Sequence, residues 1–259
     1  MQYRCPRNPL HDESESMDNA AVLEKSRTLR LERKFDLAFD HIRNASTDAQ
    51  PELYPLIWQH NPIFWKDISA GVCTLTRRRG EDARFMRELW ASSDFIYRFH
   101  RHAPKLPASD IDLQRILNHE MSSLVSETRA IHWIVRDHLG TPWGLLSLNE
   151  ISIAHRRGEV LLGIKPGGPS GIAAAAVLIL FQFYFQLMQF NKLVSLIHLD
   201  NARALKFAMH LGFVKEGFLR RHVHDPRTGQ FVDMVQLGLL KEDAFHSGNQ
   251  RLMQRLLRN

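Results

Sequence analysis

The stretch from Lys165 to Arg221 constrains the fold more than any other part of the chain. Gly167-Gly168-Pro169-Ser170-Gly171-Ile172-Ala173 opens a long apolar run, GIAAAAVLILFQFYFQLMQF over 171–190. Asn191-Lys192 then leads into the β-branched segment LVSLIHL, and Asp200-Asn201 starts ARALKFAMHLGF. A small-residue turn feeding a helix leaves several backbone N–H groups unpaired and aimed along the helix dipole, which suits a phosphate or pyrophosphate. About 20 apolar residues would also span a bilayer. Gln182, Gln186 and Gln189 argue against that, because they recur at helical spacing as a polar stripe, and no basic flank with aromatic anchors accompanies them. The run therefore reads as the buried helix of an α/β domain, with no membrane span.

The rest of the composition agrees with a globular protein. A hydrophobic content of 44% in 259 residues supplies a core for one main domain and a smaller appendage. Cys5 and Cys73 are far apart and form no CxxC, so neither a disulfide framework nor a thiolate metal site is expected. The opening MQYRCPRNPLHDESES lacks an apolar core of the signal-peptide kind, which makes the cytoplasm the expected compartment. The 34 Lys+Arg against 28 Asp+Glu give a net charge of +6. Apart from Arg77–Arg79, Arg156-Arg157 and Arg220-Arg221 the basic residues are scattered, so no nucleic-acid partner is expected, while a modest positive field suits a polyanionic cofactor.

Along the chain, 1–17 reads as a disordered tail and 18–70 as a helical extension. In the extension Leu31, Phe35, Ala38, Phe39 and Ile42 share one apolar face. Asn61 and Pro62 open a helix, Pro51 opens another, and Gly71 is a helix stop. The expected role of this extension is to cover the main domain or to contact a second copy in a homodimer. From Val72 the period changes to that of strands. VCTLTRR is followed by Gly80-Glu81-Asp82 and a helix with Phe85, Met86, Leu89 and Trp90 on one side. Strands are then expected over 129–136, 143–151, 159–164, 193–199, 218–224 and 230–240. Asp200 or Asn201 caps the helix 202–211, Gly212 takes its left-handed end, and 246–259 reads as a polar helix or tail.

Three groups of residues resemble the GNAT superfamily of acyl-CoA N-acyltransferases. They are Gly168-x-x-Gly171-x-Ala173, Asn201-x-x-Ala204 through Leu211-Gly212-Phe213, and the opening TLTRRRGEDA. Lys215-Glu216-Gly217-Phe218-Leu219-Arg220 with Gly229-x-Phe231-x-Asp233 is similar to the subgroup of ribosomal-protein, spermidine and amino-sugar acetyltransferases. The resemblance implies an α/β fold over 71–245 with a mixed central sheet of about six to seven strands flanked by helices. It also implies acyl transfer, acetyl in the first instance, from coenzyme A to a primary amine of a protein N-terminus, an amino sugar or another small molecule.

For the site, the resemblance places coenzyme A on Gly168, Ser170, Gly171, Ile172 and Ala173, with Asn201, Ala204 and Phe207 along the pantetheine. A backbone N–H near Gly163 or Ile164 is the oxyanion donor. Pro169 removes one donor from the turn, and Ala208 stands where many members carry a proton-donating tyrosine. Glu159, Glu150 and His198 are the candidate bases, in that order. His222 and His224 are candidate acceptor contacts, and the His222-x-His224 pair lacks the third ligand that a metal site needs. A chain that binds acyl-CoA as a sensor or scaffold without turnover is the alternative reading.

Overall fold

The computed structural model describes residues 12–45, 58–100 and 105–258; the first eleven residues of the expected tail, and Pro51, lie outside them. The chain divides into two compact units, Met1–Trp65 and Lys66–Asn259. In the first, helix α1 (Asp12–Leu31) starts six residues earlier than the sequence pattern indicated. A turn with Arg33 in the left-handed region separates it from α2 (Phe35–Ala45), so the expected continuous helix is broken there. Ala38 and Ile42 are buried, whereas Leu31 is exposed and leaves the anticipated apolar face. Asn61 caps the single turn Pro62–Phe64 by accepting from the Ile63 N–H at 3.1 Å, and Phe35 stacks on Trp65.

The second unit is built on one eight-stranded sheet. Its strands are β1 (Ile68–Ala70), β2 (Cys73–Arg77), β3 (Ile131–Asp137), β4 (Pro142–Ser152), β5 (Arg157–Ile164), β6 (Lys192–His198), β7 (Val214–His224) and β8 (Phe231–Leu240). They lie in the order β1-β2-β3-β4-β5-β6-β8-β7, and every neighbouring pair is antiparallel except β5 and β6. The strand not expected from sequence is β1. Gly71, at φ 52, turns the chain from β1 into β2 and so closes a hairpin where a helix stop was expected. A Cβ there would fall 2.0 Å from the Leu256 carbonyl oxygen, so no larger residue fits.

One face of the sheet carries α3 (Ala83–Ala91), α4 (Ser93–Phe99), α5 (Asp110–Ser122) and the short α6 (Val125–Thr128). Phe85, Met86 and Leu89 on α3 pack with Leu113 and Leu117 of α5 against Ile134 and Leu145 of the sheet. Asp82, just before α3, is buried and ion-paired with Arg136 of β3, which anchors that helix to the sheet.

Helix α7 (Ile172–Phe181) is buried almost all round, as an apolar run without an amphipathic period should be. It widens into a π-helical turn, Gln182–Leu187, that lets the consecutive aromatics Phe183, Tyr184 and Phe185 all turn inward while Gln186 stays exposed. Asn201 caps α8 (Ala202–His210) by accepting from the Ala204 N–H at 3.2 Å, and Gly212 follows at φ 95. After α9 (Lys241–Ala244), α10 (Ser247–Leu256) is an integral part of the fold. Its Asn249 is fully buried and donates to the Leu211 and Ala244 carbonyls at 2.9 and 3.0 Å. Among the described residues, no helix is long and apolar enough to cross a membrane.

Candidate active site

Strands β5 and β6 pair only at their starts, Arg157 with Lys192, Gly158 with Leu193 and Glu159 with Val194. Beyond Glu159 they diverge, and a cavity of about 310 Å³ fills the wedge. Glu159 and Leu161 line it from β5, Leu196 and His198 from β6, and Asn201 with Phe207 from the start and body of α8. Because adjacent strands in a sheet satisfy each other's backbone groups, a wedge between two central strands exposes amides that a ligand can pair with.

Strand alternation decides which amides these are. The Lys165 N–H donates to the Trp143 carbonyl of β4 at 2.8 Å, and β5 keeps an unbroken register with β4 from Glu159 to Ile164. Backbone groups of alternate residues point to opposite strand edges. Leu161 and Gly163 therefore also face β4, leaving the N–H groups of Val160, Leu162 and Ile164 on the wedge side. Of the two expected oxyanion donors, Ile164 has the required direction and Gly163 does not. Gly163 instead lets α4 approach: a Cβ there would lie 2.7 Å from Phe99 and 2.8 Å from Phe95.

Past the end of β5 the chain makes the glycine turn. Gly167 (φ 83) and Gly171 (φ 86) are both left-handed, and the space around Gly167 is open. The Ile172 N–H is occupied by the Pro169 carbonyl at 3.2 Å, and the Ala175 N–H by the Gly171 carbonyl at 2.8 Å. Among the described residues, the N–H groups of Ser170, Gly171, Ala173 and Ala174 have no acceptor. The residues thus fit a phosphate-bearing group at the start of α7, with Ile172 removed from the expected donor set. Gly171 has its own structural reason: a Cβ would sit 2.9 Å from Leu256 Cδ2 of α10, so this glycine faces the protein and not an open cradle. Gly168 likewise abuts Ile164 and Trp143.

A second cavity, of about 630 Å³, lies on the helical side of the sheet. Its walls include Met86 and Trp90 of α3, Leu117 of α5, and His132, Ser147 and Glu150 of the strands. The two cavities share Phe99, His100, Glu159 and Leu161. Glu159 consequently stands where they meet. Burial raises the pKa of its carboxyl above the ordinary value and the neighbouring Glu150 raises it further, while a backbone N–H of Leu196 opposes both.

The remaining expected residues separate by place. Ala204 and His198 line the wedge, as does Ala208, whose methyl group offers no proton. His222 reaches the wedge, but His224 does not and packs its ring edgewise on Phe231, with 5.5 Å between centroids. Glu150 lines the second cavity, at φ 48, with its carboxylate bound by Arg129 at 2.8 Å. Phe99 and His100 were missed from sequence because 92–128 carries no long amphipathic repeat. The available signals were the helix caps Ser92 and Ser109, whose hydroxyls accept from Phe95 and Asp112. His132 was also missed. Burial first, then Arg78 and Arg77, push its pKa well down, so it is a neutral ring facing the Ser147 hydroxyl at 2.9 Å. Among the described residues, no group of three His, Cys, Asp or Glu side chains could hold a metal ion.

A mixed sheet opened between two parallel central strands, with an anion-seeking glycine turn at the end of one and an amide row along the gap, defines an acyl-CoA-dependent acyltransferase. Residues 73–214 match the acetyltransferase (GNAT) domain family, and the chain belongs to that family: it is an acetyl-CoA-dependent N-acetyltransferase. A curated relative, the uncharacterised N-acetyltransferase p20 of Bacillus licheniformis, is 24% identical over 173 residues, covering 66% of this chain and 93% of its own. Among solved structures, the spermidine N-acetyltransferase of Vibrio cholerae in complex with CoA and spermine superposes with a TM-score of 0.58. It is 21% identical, and the match covers 67% of this chain and 98% of that one. The dodecameric intermediate-state structure of the same enzyme gives 0.55 at 22% identity, covering 67% and 96%. At these identities the likeness to the solved structures concerns the fold.

Proposed function

We propose that this enzyme transfers an acetyl group from acetyl-CoA, bound through the wedge between β5 and β6, to a primary amine entering from the larger cavity. The acceptor amine belongs to a polypeptide N-terminus, an amino sugar or another small molecule. The observation that carries this reading is the junction of the two cavities at Glu159, Leu161, Phe99 and His100. An acyl carbonyl in the wedge and an amine in the cavity would face each other there.

The chemistry asks for approach of the two reactants, stabilisation of an oxyanion and removal of a proton. The amides of Leu162 and Ile164 supply donors along the wedge. Glu159 takes the proton as the amine nitrogen bonds to the carbonyl carbon, directly or through one water, and its raised pKa brings it toward the range of an effective base at neutral pH. The carbon–sulfur bond then breaks. With Ala208 at the wedge, the departing thiolate takes its proton from water. Asn201 spends its side-chain oxygen on the α8 cap, so its amide NH₂ is the group left to contact pantetheine.

The absence of a hydroxyl at Ala208 and of an amide at Pro169 favours one other reading, an acyl-CoA sensor without turnover. Thiol release from acetyl-CoA, measured against a panel of amines with mass spectrometry of the products, distinguishes the two. Acetylated product with thiol in equal amount supports transfer. Binding of acetyl-CoA with no thiol released above the hydrolytic background refutes it.

A further inference from the structure

The acceptor-side cavity has an internal charge balance that bears on which amines it takes. Three carboxylates line it, those of Glu120, Glu150 and Glu159. Glu120 is ion-paired with Arg78, and Glu150 with Arg129 at 2.8 Å. Both arginines also line the cavity, as does Lys105. Among the described residues, Glu159 has no cationic partner, and the nearby charge acting on it is the like charge of Glu150. His132 adds no positive charge because its ring is held neutral. Thr128, Ser147 and Asn149 add uncharged polar groups, and the rest of the lining is largely apolar, with Met86, Trp90, Leu113, Ile116 and Leu117.

We infer that Arg78 and Arg129 are specificity-determining residues, and that the acceptor is an amine with one positive charge and an apolar substituent, not a polyamine. This rests on the acetyltransferase reading above. A polycation carries several charges that each need a partner once they leave water. Among the described residues it would meet three cations in this cavity, and Glu159, the lining carboxylate there without a guanidinium, is the group needed to take the proton from the reacting nitrogen. A single ammonium beside an apolar side chain is satisfied by Glu159 and by the apolar walls together. Such an acceptor includes the α-amine of a polypeptide whose first residue is apolar. The arginines thus act by negative selection, raising the free energy of the wrong ligand.

Arg129 is the residue to change, because it is exposed and its φ of 50° is one that asparagine adopts readily. The experiment measures kcat/KM with acetyl-CoA for a peptide with a free amino-terminal leucine, for 2-phenylethylamine and for spermidine, in the native enzyme and in Arg129→Asn, with melting curves to establish folding. The native enzyme should favour the two monoamines over spermidine by at least about tenfold. Arg129→Asn, by freeing Glu150, should shift the ratio of spermidine to monoamine kcat/KM upward by about twofold to fivefold, the size of one exposed ion-pair interaction. A native preference for spermidine, or a folded variant with an unchanged ratio, overturns the inference while leaving the acetyltransferase reading standing. Thiol release with none of the three amines overturns both.

Discussion

Replacing Glu159 with glutamine keeps the shape of the side chain and an acceptor for the Leu196 N–H, and removes only the capacity to take a proton. A positioned general base contributes about 10² to 10⁴ in rate, so turnover at pH 7 should fall by that factor while acetyl-CoA affinity stays nearly unchanged. The pH dependence carries more information than the size of the loss. Burial and the like charge of Glu150 hold the Glu159 carboxyl above its ordinary value, so the native acid limb should lie above the titration of an exposed glutamate at about 4.3. In Glu159→Gln that limb disappears. Only the limb set by the amine remains, near pH 8 for a polypeptide α-amine, and the deficit narrows as that pH is approached. Stability gives an independent check of sign. A carboxyl whose folded pKa is raised favours its neutral form in the fold, so it costs stability once the pH exceeds its unfolded value. Glu159→Gln should therefore raise the melting temperature at pH 7 and leave it unchanged below pH 4. Initial rates of thiol release from pH 5 to 9.5, with melts at pH 7 and below pH 4, test this. An acid limb that survives in the variant refutes Glu159 as the base and moves the role to another group.

Three further outcomes follow from the same geometry. Ser170 is exposed in the glycine turn beside unpaired amides, so Ser170→Glu should abolish the stabilisation by acetyl-CoA, which for the native chain should be about 2.7 kcal/mol at 100 times the dissociation constant; equal thermal shifts would place the phosphates elsewhere. Gly171→Ala forces a left-handed alanine against Leu256 and should cost about 1–2 kcal/mol in urea unfolding, whereas an unchanged midpoint would mean that the turn and α10 are not in contact. Tyr97 donates to the buried Asp225 at 2.8 Å and ties α4 to the β7–β8 turn, so Tyr97→Phe should cost about 1–3 kcal/mol and make that turn more sensitive to limited proteolysis.

The legible parts of the fold were those with a local cause. The apolar helix, the Asn201 cap, the left-handed Gly212 and seven of the eight strands each have a residue pattern that fixes them within their own segment. Helices α4 and α5 are shorter or less sharply patterned, and the packing of α4 depends on Gly163 allowing Phe95 and Phe99 to come close, which no local period encodes. The same holds for α10, which reads as polar because its role rests on one buried asparagine and on Leu256 backing the hairpin and the glycine turn. At the site, residue identities were readable but directions were not. Gly163 and Ile164 are equivalent in a sequence and opposite in a strand, and His222 and His224 share a strand yet only His222 reaches the cavity. Glu159 was legible as a base candidate, but its place between two cavities required the sheet.

The central claim is that acyl-CoA occupies the wedge between β5 and β6 with its phosphates at the start of α7. Amide hydrogen exchange with and without acetyl-CoA tests it at the residues concerned. Exchange should slow at Leu162 and Ile164 and at Ser170, Gly171, Ala173 and Ala174, with the Gly163 amide, already turned to β4, much less affected. Unchanged exchange in both segments, with protection appearing elsewhere in the chain, would contradict it.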